Sequence, residues 1–222
     1  MKNSIPKPRS RNRRSPSVEE ELANSISHGL GLILAIAFLI VLVLSARRLE
    51  GSAHFLIGVS VFGGTMVLLY LASTLYHSLT HQRAKHFFRL LDHSAIFLLI
   101  AGTYTPFAVG VLRGPWGWTL LTIVWTLAVI GIVLKGIFGP SHPWISIVLY
   151  LLMGWLAIVA VKPIFLLVPL PGILLILVGG LFYTSGLAFF AAPRLRFGHF
   201  IWHLFVMAGT TCHFFAVLWY AA

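Results

Sequence analysis

The 222-residue chain is 59% hydrophobic and only 9% charged, whereas about a quarter of the residues of an average soluble domain are charged. Its apolar residues occur in runs long enough to cross a hydrocarbon core about 30 Å thick, which excludes a soluble globular protein. The net charge of +11 does not indicate a nucleic-acid partner, because the basic residues lie in an N-terminal tail and at the ends of the apolar runs. There they set topology or contact anionic lipids.

In chain order, residues 1–24 form a basic tail rich in Pro and Ser, for which we predict disorder and a cytoplasmic location. Seven apolar runs follow, and each predicts a transmembrane helix: 26–46, 55–78, 91–112, 117–135, 144–162, 170–192 and 198–220. Short connections that contain Pro and Gly separate several of the runs. We therefore expect an all-α integral membrane protein in which residues 25–222 form one seven-helix transmembrane domain.

The distribution of Lys and Arg predicts how these helices are oriented. With a cytoplasmic N-terminus, twelve of these residues are inside and four outside; the four are Arg47, Arg48, Arg113 and Lys162. Because cytoplasmic loops carry an excess of Lys and Arg, the N-terminus is predicted inside and the C-terminus outside. The expected location is the inner (plasma) membrane of the cell.

The seventh run begins with the sequence His199-Phe-Ile-Trp-His203. A spacing of i, i+4 places both imidazoles on one helix face, about 6 Å apart along the axis. This is the spacing of a zinc-ligand pair, and an ionisable side chain inside a membrane is costly enough to suggest a function. The alternative is a pair of histidines that pack or hydrogen-bond with neighbouring helices.

Other polar residues fall at the same predicted depth on the cytoplasmic side. His28 opens the first span, Ser73 and His77 end the second, and Asp92 opens the third. We predict that His77, His199 and His203 hold Zn²⁺, since three protein ligands leave the fourth position of a catalytic zinc site to water. Zinc lowers the pKa of such a water to about 7.

Asp92 and Ser73 are the predicted catalytic residues. Asp92 is the only carboxylate after Glu50 in the sequence, and it would orient the water and accept its proton. Ser73 lies one turn from His77 and would hydrogen-bond the water or a developing oxyanion. Two alternatives stay open: Asp92 as the N-cap of the third helix, and Ser73 bonded to a carbonyl of its own helix.

The remaining histidines are not predicted to share the metal. His93 points about 100° away from Asp92 around the helix, and His213 lies about 15 Å deeper than His203, where it is expected to bond a neighbouring helix. Four others lie in connections and are predicted to be solvated: His54, His81, His86 and His142.

Several motifs occur in order along almost the whole chain: Glu21-x-x-Asn24-x-x-Ser27-His28, Ser73-Thr-Leu-Tyr-His77, Arg89-Leu-Leu-Asp92-His-Ser-Ala, Gly102-Thr-Tyr-Thr-Pro-Phe107, Gly198-His199-Phe-Ile-Trp-His203 and Cys212-His213-Phe-Phe. Together they resemble the hemolysin III family, the bacterial branch of the progestin and adipoQ receptor family, within the wider group of the alkaline ceramidases. The resemblance implies seven helices, a cytoplasmic N-terminus and a zinc ion near the inner face. It assigns the ligands to His77, His199 and His203, with Asp92 bonding the zinc-bound water and Ser73 nearby.

Three functions are compatible with these residues. The first is a zinc-dependent hydrolase of a lipid amide or ester, a ceramidase-like amidase whose partners are membrane lipids and a lipid substrate. The second is a receptor or regulator of membrane lipid state that binds a lipid ligand and uses zinc as a structural tie. The third, implied by the family name alone, is a pore-forming cytolysin. Six glycines permit close helix contacts within one subunit or in a homo-oligomer: Gly29, Gly31, Gly63, Gly64, Gly179 and Gly180.

Overall fold

The computed structural model describes residues 15–49, 53–139 and 142–222, and every regular element within these ranges is a helix. The eight α-helices are α1 (Val18–Arg47), α2 (Ala53–Ser78), α3 (Gln82–Val109), α4 (Pro115–Phe138), α5 (Pro143–Gly154), α6 (Val161–Leu167), α7 (Leu170–Phe190) and α8 (Gly198–Tyr220). A 3₁₀ segment, Leu156–Ala160, joins α5 to α6. Together they make seven spans long and apolar enough to cross a membrane. The prediction of an all-α, seven-span bundle is therefore confirmed, while the side of the membrane on which each end lies stays a prediction.

The first helix begins earlier than predicted because a capping box starts it. The Glu20 amide donates to Ser17 Oγ (3.3 Å), and the Ser17 amide donates to Glu20 Oε2 (2.8 Å). This reciprocal pair satisfies two amides that the first helical turn would otherwise leave free. Residues 18–24, assigned to the tail in the sequence prediction, are thus helical. Residues 1–14, for which we predict disorder, lie outside the described residues.

The third helix also begins earlier than predicted, at Gln82, so that the connection after α2 is short. His81 caps it by accepting a hydrogen bond from the Ala84 amide at Nδ1 (3.4 Å). Asp92 consequently lies well inside α3, and the alternative that it serves as an N-cap is wrong. His86, predicted to lie in a solvated connection, is part of the helix and is exposed.

The fifth span is broken, whereas the sequence predicted one continuous helix over 144–162. The break lies between α5 and the 3₁₀ segment, and Tyr104 of α3 compensates for it. The Tyr104 hydroxyl shares its proton between the carbonyls of Met153 (2.8 Å) and Gly154 (3.0 Å) and accepts a hydrogen bond from the Ala157 amide (3.0 Å). Backbone groups freed within a membrane need such partners, because lipid offers none.

Three glycines of α7, spaced seven residues apart, allow α8 to pack closely against it. Gly172, Gly179 and Gly186 face the rings of Tyr220, His213 and Trp202, and an added methyl group would lie 2.8 Å from each ring. The close α7–α8 contact fixes α8 so that its N-terminal turn meets α1 and α2. A methyl group added at Gly64 or Gly180, by contrast, would have no neighbouring side chain or helix within 4 Å. The predicted homo-oligomer remains untested.

We expect Tyr104→Phe to destabilise the protein, because it leaves three backbone groups at the break in the fifth span without their partner. An unsatisfied buried polar group costs about 1–3 kcal/mol. Thermal unfolding of the detergent-purified protein, followed by intrinsic fluorescence, should show a lower midpoint. Tyr220→Phe, at the far end of α8, is the control. A midpoint equal to that of the wild type would mean that the break does not depend on Tyr104.

Candidate metal centre

The three histidines predicted as ligands lie together where α2 ends and α8 begins. His77, His199 and His203 each offer one ring nitrogen, and these atoms lie within 4.8 Å of one another. Their ring centroids are 4.6–5.2 Å apart. His77 and His203 are buried and His199 is partly buried. This histidine triad has the composition and spacing to hold a metal ion.

Hydrogen bonds to the far side of two rings leave the metal-facing nitrogens free. His77 Nδ1 lies 2.6 Å from Glu21 Oε2. The carboxylate can only accept, so this nitrogen carries the proton and His77 Nε2 keeps its lone pair. His203 Nδ1 is likewise a donor, to Ser27 Oγ (3.0 Å) and to the Asn24 carbonyl (3.2 Å). Partners of this kind fix the tautomer and the ring orientation of metal-ligating histidines.

The free nitrogens give the test of whether a metal fits. Nε2 of His77 and Nε2 of His199 are buried and have no hydrogen-bond partner among the described residues. A buried polar atom without a partner is costly, and neutral imidazole nitrogens are good ligands for zinc. The triad therefore fits a metal ion with nitrogen ligands, and the assignment of that ion as zinc stays a prediction.

Three consecutive carboxylates at the start of α1 support the triad, although the sequence prediction gave them no role at the site. Glu21 bridges His77 and Lys85, whose Nζ lies 2.7 Å from Glu21 Oε1. Glu20 Oε1 accepts from the Phe197 amide (2.8 Å), and Glu19 pairs with Arg196 at the surface (3.1 Å). The acidic triplet thus ties α1 to α2, to α3 and to the turn before α8.

A sequence signal for this role was present. Ser17 followed three residues later by Glu20, directly before an apolar run, is the signature of a capping box. It predicts that a helix starts before Glu21, and helical spacing then places Glu21, Asn24 and His28 on one face. The triplet was instead counted as part of a disordered tail.

The Glu20 contact also holds an unusual backbone conformation just before the triad. Phe197 has a φ of 57°, in the left-handed region that non-glycine residues rarely adopt. The hydrogen bond from its amide to Glu20 fixes this turn, so that α8 starts at Gly198 and presents His199 at once. The position of His199 therefore depends on a side chain of α1.

Asp92 and Ser73, the predicted catalytic residues, are both buried beside the triad. Asp92 lies within electrostatic range of His77 and next to the Ser73 hydroxyl. That hydroxyl has no hydrogen bond of normal geometry to any described residue. The alternative in which Ser73 bonds a carbonyl of its own helix is therefore wrong. The catalytic roles of both residues stay predictions.

The other histidines near this depth take different positions. His28 stacks on His203, with ring centroids 3.5 Å apart and an interplanar angle of 12°, so that it supports a ligand ring from behind. His93 donates from Nδ1 to the Arg89 carbonyl (2.7 Å). The bond predicted from His213 to a neighbouring helix is not found at Nδ1, which has no partner in the described part of the chain.

Fold and site together define a multi-pass helical membrane protein with a candidate metal centre at one end of the bundle. Residues 17–214 match the family model described as "Haemolysin-III related". The chain is 49% identical to Hemolysin-3 of Bacillus cereus over 208 residues, which cover 94% of each chain. It is 46% identical to the Hemolysin-3 homolog of Bacillus subtilis (strain 168) over 92% of this chain and 95% of the relative.

The chain therefore belongs to the hemolysin III family, as its motifs predicted. A more distant similarity connects it to a human protein, the monocyte to macrophage differentiation factor, at 25% identity over 92% of this chain and 86% of that one. The relationship to the progestin and adipoQ receptor family inferred from the sequence is thus confirmed. None of these names mentions a metal.

Replacing a triad histidine should remove the metal. We expect the purified wild-type protein to contain about one zinc per chain, and His77→Ala and His199→Ala to contain almost none, because two imidazoles bind zinc far more weakly than three. Inductively coupled plasma mass spectrometry after gel filtration measures this. His93→Ala, which removes a neighbouring histidine outside the triad, should keep the zinc. Equal metal content in all four proteins would rule out the triad as the site.

Glu21→Gln should weaken zinc binding without removing a ligand. The carboxylate increases the basicity of His77 and fixes its tautomer, and loss of such a partner typically costs 10–100-fold in metal affinity. A competition titration with a chromophoric chelator measures the change. Glu19→Gln, which alters a neighbouring but exposed carboxylate, should bind zinc as the wild type does. An unchanged affinity in Glu21→Gln would show that the 2.6 Å contact is only structural.

Proposed function

We propose that this protein is a zinc-dependent hydrolase of a lipid amide or ester, acting at the cytoplasmic side of the inner (plasma) membrane. The observation that carries the proposal is the combination of three convergent histidines with a buried carboxylate and a buried hydroxyl beside them. Structural zinc sites usually have four protein ligands, whereas catalytic ones have three and keep one position open. Three histidines flanked by Asp92 and Ser73 fit the catalytic pattern better.

Each residue then has a defined task. When bound, zinc would supply a Lewis acid and make water a nucleophile at neutral pH. The triad histidines hold the ion, and Glu21 and Ser27 keep two of the rings in the binding tautomer. Asp92 takes a proton from the attacking water and passes it to the leaving amine or alcohol. The Ser73 hydroxyl donates to the substrate carbonyl oxygen as negative charge develops there.

A cavity in the interior of the same bundle suits the acyl chain. It has a volume of about 120 Å³ and lies between α3, the broken fifth span, α7 and α8. Trp202, the neighbour of His203 in the sequence, lines it, and so do Leu112 and Val168 at the other end of the bundle. The wall is almost entirely apolar, which suits a lipid chain and keeps water away from the reacting carbonyl.

The broken fifth span provides a route from the bilayer into this cavity. Gly154 and Trp155 line the cavity and are also exposed. The Trp155 indole donates to Thr184 of α7 beside the break (3.2 Å). A lipid from the surrounding bilayer would enter sideways at this place.

A receptor or lipid-state regulator is the second candidate. The observation that favours it is the similarity to a relative named as a differentiation factor, and a metal that ties α2 to α8 would suit a structural role as well. A pore-forming cytolysin is suggested by the name Hemolysin-3. It has less support, because a channel needs a polar lining and the cavity wall is apolar.

Asp92→Asn should abolish hydrolysis while zinc is retained, because Asp92 moves a proton and holds no metal. General acid–base groups contribute typically 10²–10⁴-fold, so we expect a rate at least about 100-fold lower. Ser73→Ala should also slow the reaction. The assay is mass-spectrometric detection of fatty acid released from ceramides, other lipid amides and esters by zinc-loaded protein in nanodiscs.

The matched control is Ser94→Ala, which removes another buried hydroxyl from the helix that carries Asp92. It should hydrolyse lipid at the wild-type rate. Absence of released fatty acid from the whole panel, with zinc tightly bound, would contradict the hydrolase proposal and favour the receptor. An Asp92→Asn variant with full activity would contradict the role of Asp92 alone.

A further inference from the structure

One polar ring in the wall of the apolar cavity has a free nitrogen. His213 of α8 lines the cavity and is 6% exposed, and neither of its ring nitrogens has a hydrogen-bond partner among the residues that the structure describes; Nδ1 is fully enclosed, so Nε2 is the nitrogen that a ligand would meet. A neutral imidazole has one donor and one acceptor nitrogen. The absence of a partner at this depth is costly, and it is the kind of feature that a ligand resolves.

The hydroxyl groups in the same wall are already bonded within the protein. Thr103 donates to the Leu99 carbonyl (2.8 Å), and Tyr183 shares a hydrogen bond with Thr210 (3.0 Å). The other three wall hydroxyls are also engaged: Tyr150 donates to the His93 carbonyl (2.8 Å), and Tyr104 and Thr184 take part in the bonds at the broken span described above. His213 therefore differs from the hydroxyl groups that line the cavity.

The His213 ring is held in place on two sides by α7. Tyr183 stacks against it, with ring centroids 5.3 Å apart and an interplanar angle of 28°. Gly179 lies against its edge so closely that an added methyl group would be 2.8 Å from His213 Nε2. The ring thus cannot turn away from the cavity without separating α7 from α8.

The depth of His213 limits what can bind there. It follows His203 by ten residues, so it lies about 15 Å further along the helix, near the middle of a hydrocarbon core about 30 Å thick. A buried water needs two to four polar partners, and the other wall hydroxyls are already engaged. The molecules that reach this depth from the bilayer are lipid chains.

We propose that the cavity binds a lipid chain that carries a hydroxyl group along its length, and that His213 hydrogen-bonds this hydroxyl. A hydroxyl both donates and accepts, as a neutral imidazole does, whereas a saturated chain leaves the ring unsatisfied. The inference rests on the proposed function in one respect: the chain that binds here is taken to belong to the lipid that is cleaved. His213 then determines specificity about 15 Å from the triad.

Competitive binding to the full-length, zinc-loaded protein tests this site. A brominated stearic acid in the cavity would quench the fluorescence of Trp155 and Trp202, which both line it. Stearic acid and a stearic acid hydroxylated at mid-chain then compete for the cavity. One added hydrogen bond should let the hydroxylated chain displace the quencher at about three- to tenfold lower concentration. Equal displacement by the two acids in the wild type would overturn the proposal.

Variants at His213 test whether this residue is responsible for the preference. His213→Leu should bring the ratio to about one, and His213→Gln, whose amide both donates and accepts, should keep part of it. Thr103→Val, which removes a wall hydroxyl already bonded to Leu99, should keep the full ratio. A preference that persists in His213→Leu would overturn the assignment. If His213→Leu does not fold, a ratio above one in the glutamine variant supports the assignment, and a ratio of one overturns it.

Failure of this inference is distinguishable from failure of the hydrolase proposal, because binding is measured without turnover. Release of fatty acid together with equal affinity for both chains would support the hydrolase proposal and contradict the hydroxyl-binding site. A clear preference for the hydroxylated chain without any hydrolysis would support the binding site and contradict the hydrolase proposal. A metal-loaded Asp92→Asn protein should show the wild-type preference, since Asp92 does not line the cavity.

Discussion

The 2.6 Å contact between Glu21 and His77 is the interaction on which the candidate metal centre depends. A carboxylate at the edge of a membrane bundle is costly unless it is paired, and Glu21 meets both an imidazole and the Lys85 ammonium. The pair anchors the start of α1 against α2 and α3. It also fixes which nitrogen of His77 is free. The neighbouring Glu20 fixes the start of α8, because it accepts a hydrogen bond from the Phe197 amide in the turn before that helix.

The way in which polar groups are satisfied separates structural features from candidate functional ones. In lipid, unpaired backbone groups at the break in the fifth span would be costly. Hydrogen bonds with the Tyr104 hydroxyl satisfy these groups, so that the helix can be interrupted there. Ser73, His199 and His213 are treated differently, since each has a buried polar atom without a partner among the described residues. His199 belongs to the triad, Ser73 lies beside it, and His213 lies in the cavity wall. A bound metal would satisfy His199, and the proposed lipid hydroxyl would satisfy His213.

The sequence predicted the spans well and their ends less well, for identifiable reasons. Hydropathy averages over a window, so it missed the amphipathic first turns of α1 and α3, whose polar residues face the interior of the bundle or the aqueous side. Asp92 consequently seemed to open a helix, although it lies well inside α3. The break after Gly154 was invisible because all its residues are apolar, and its stabilising partner, Tyr104, is distant in the chain.

What the sequence determined by itself was local: seven apolar runs, the pairing of His199 with His203 one turn apart, and the membership of the hemolysin III family that its motifs predicted. Helical periodicity and the thickness of a bilayer are enough for that. The common depth of the polar residues also predicted that His77 joins this pair, and the structure brings the three rings together. Only the tertiary structure decided that the acidic triplet of α1 supports them and that His213 lies in an apolar cavity. These are contacts between residues far apart in the chain. They follow from how the glycine-lined face of α7 and the capped start of α1 position α8, which no local pattern specifies.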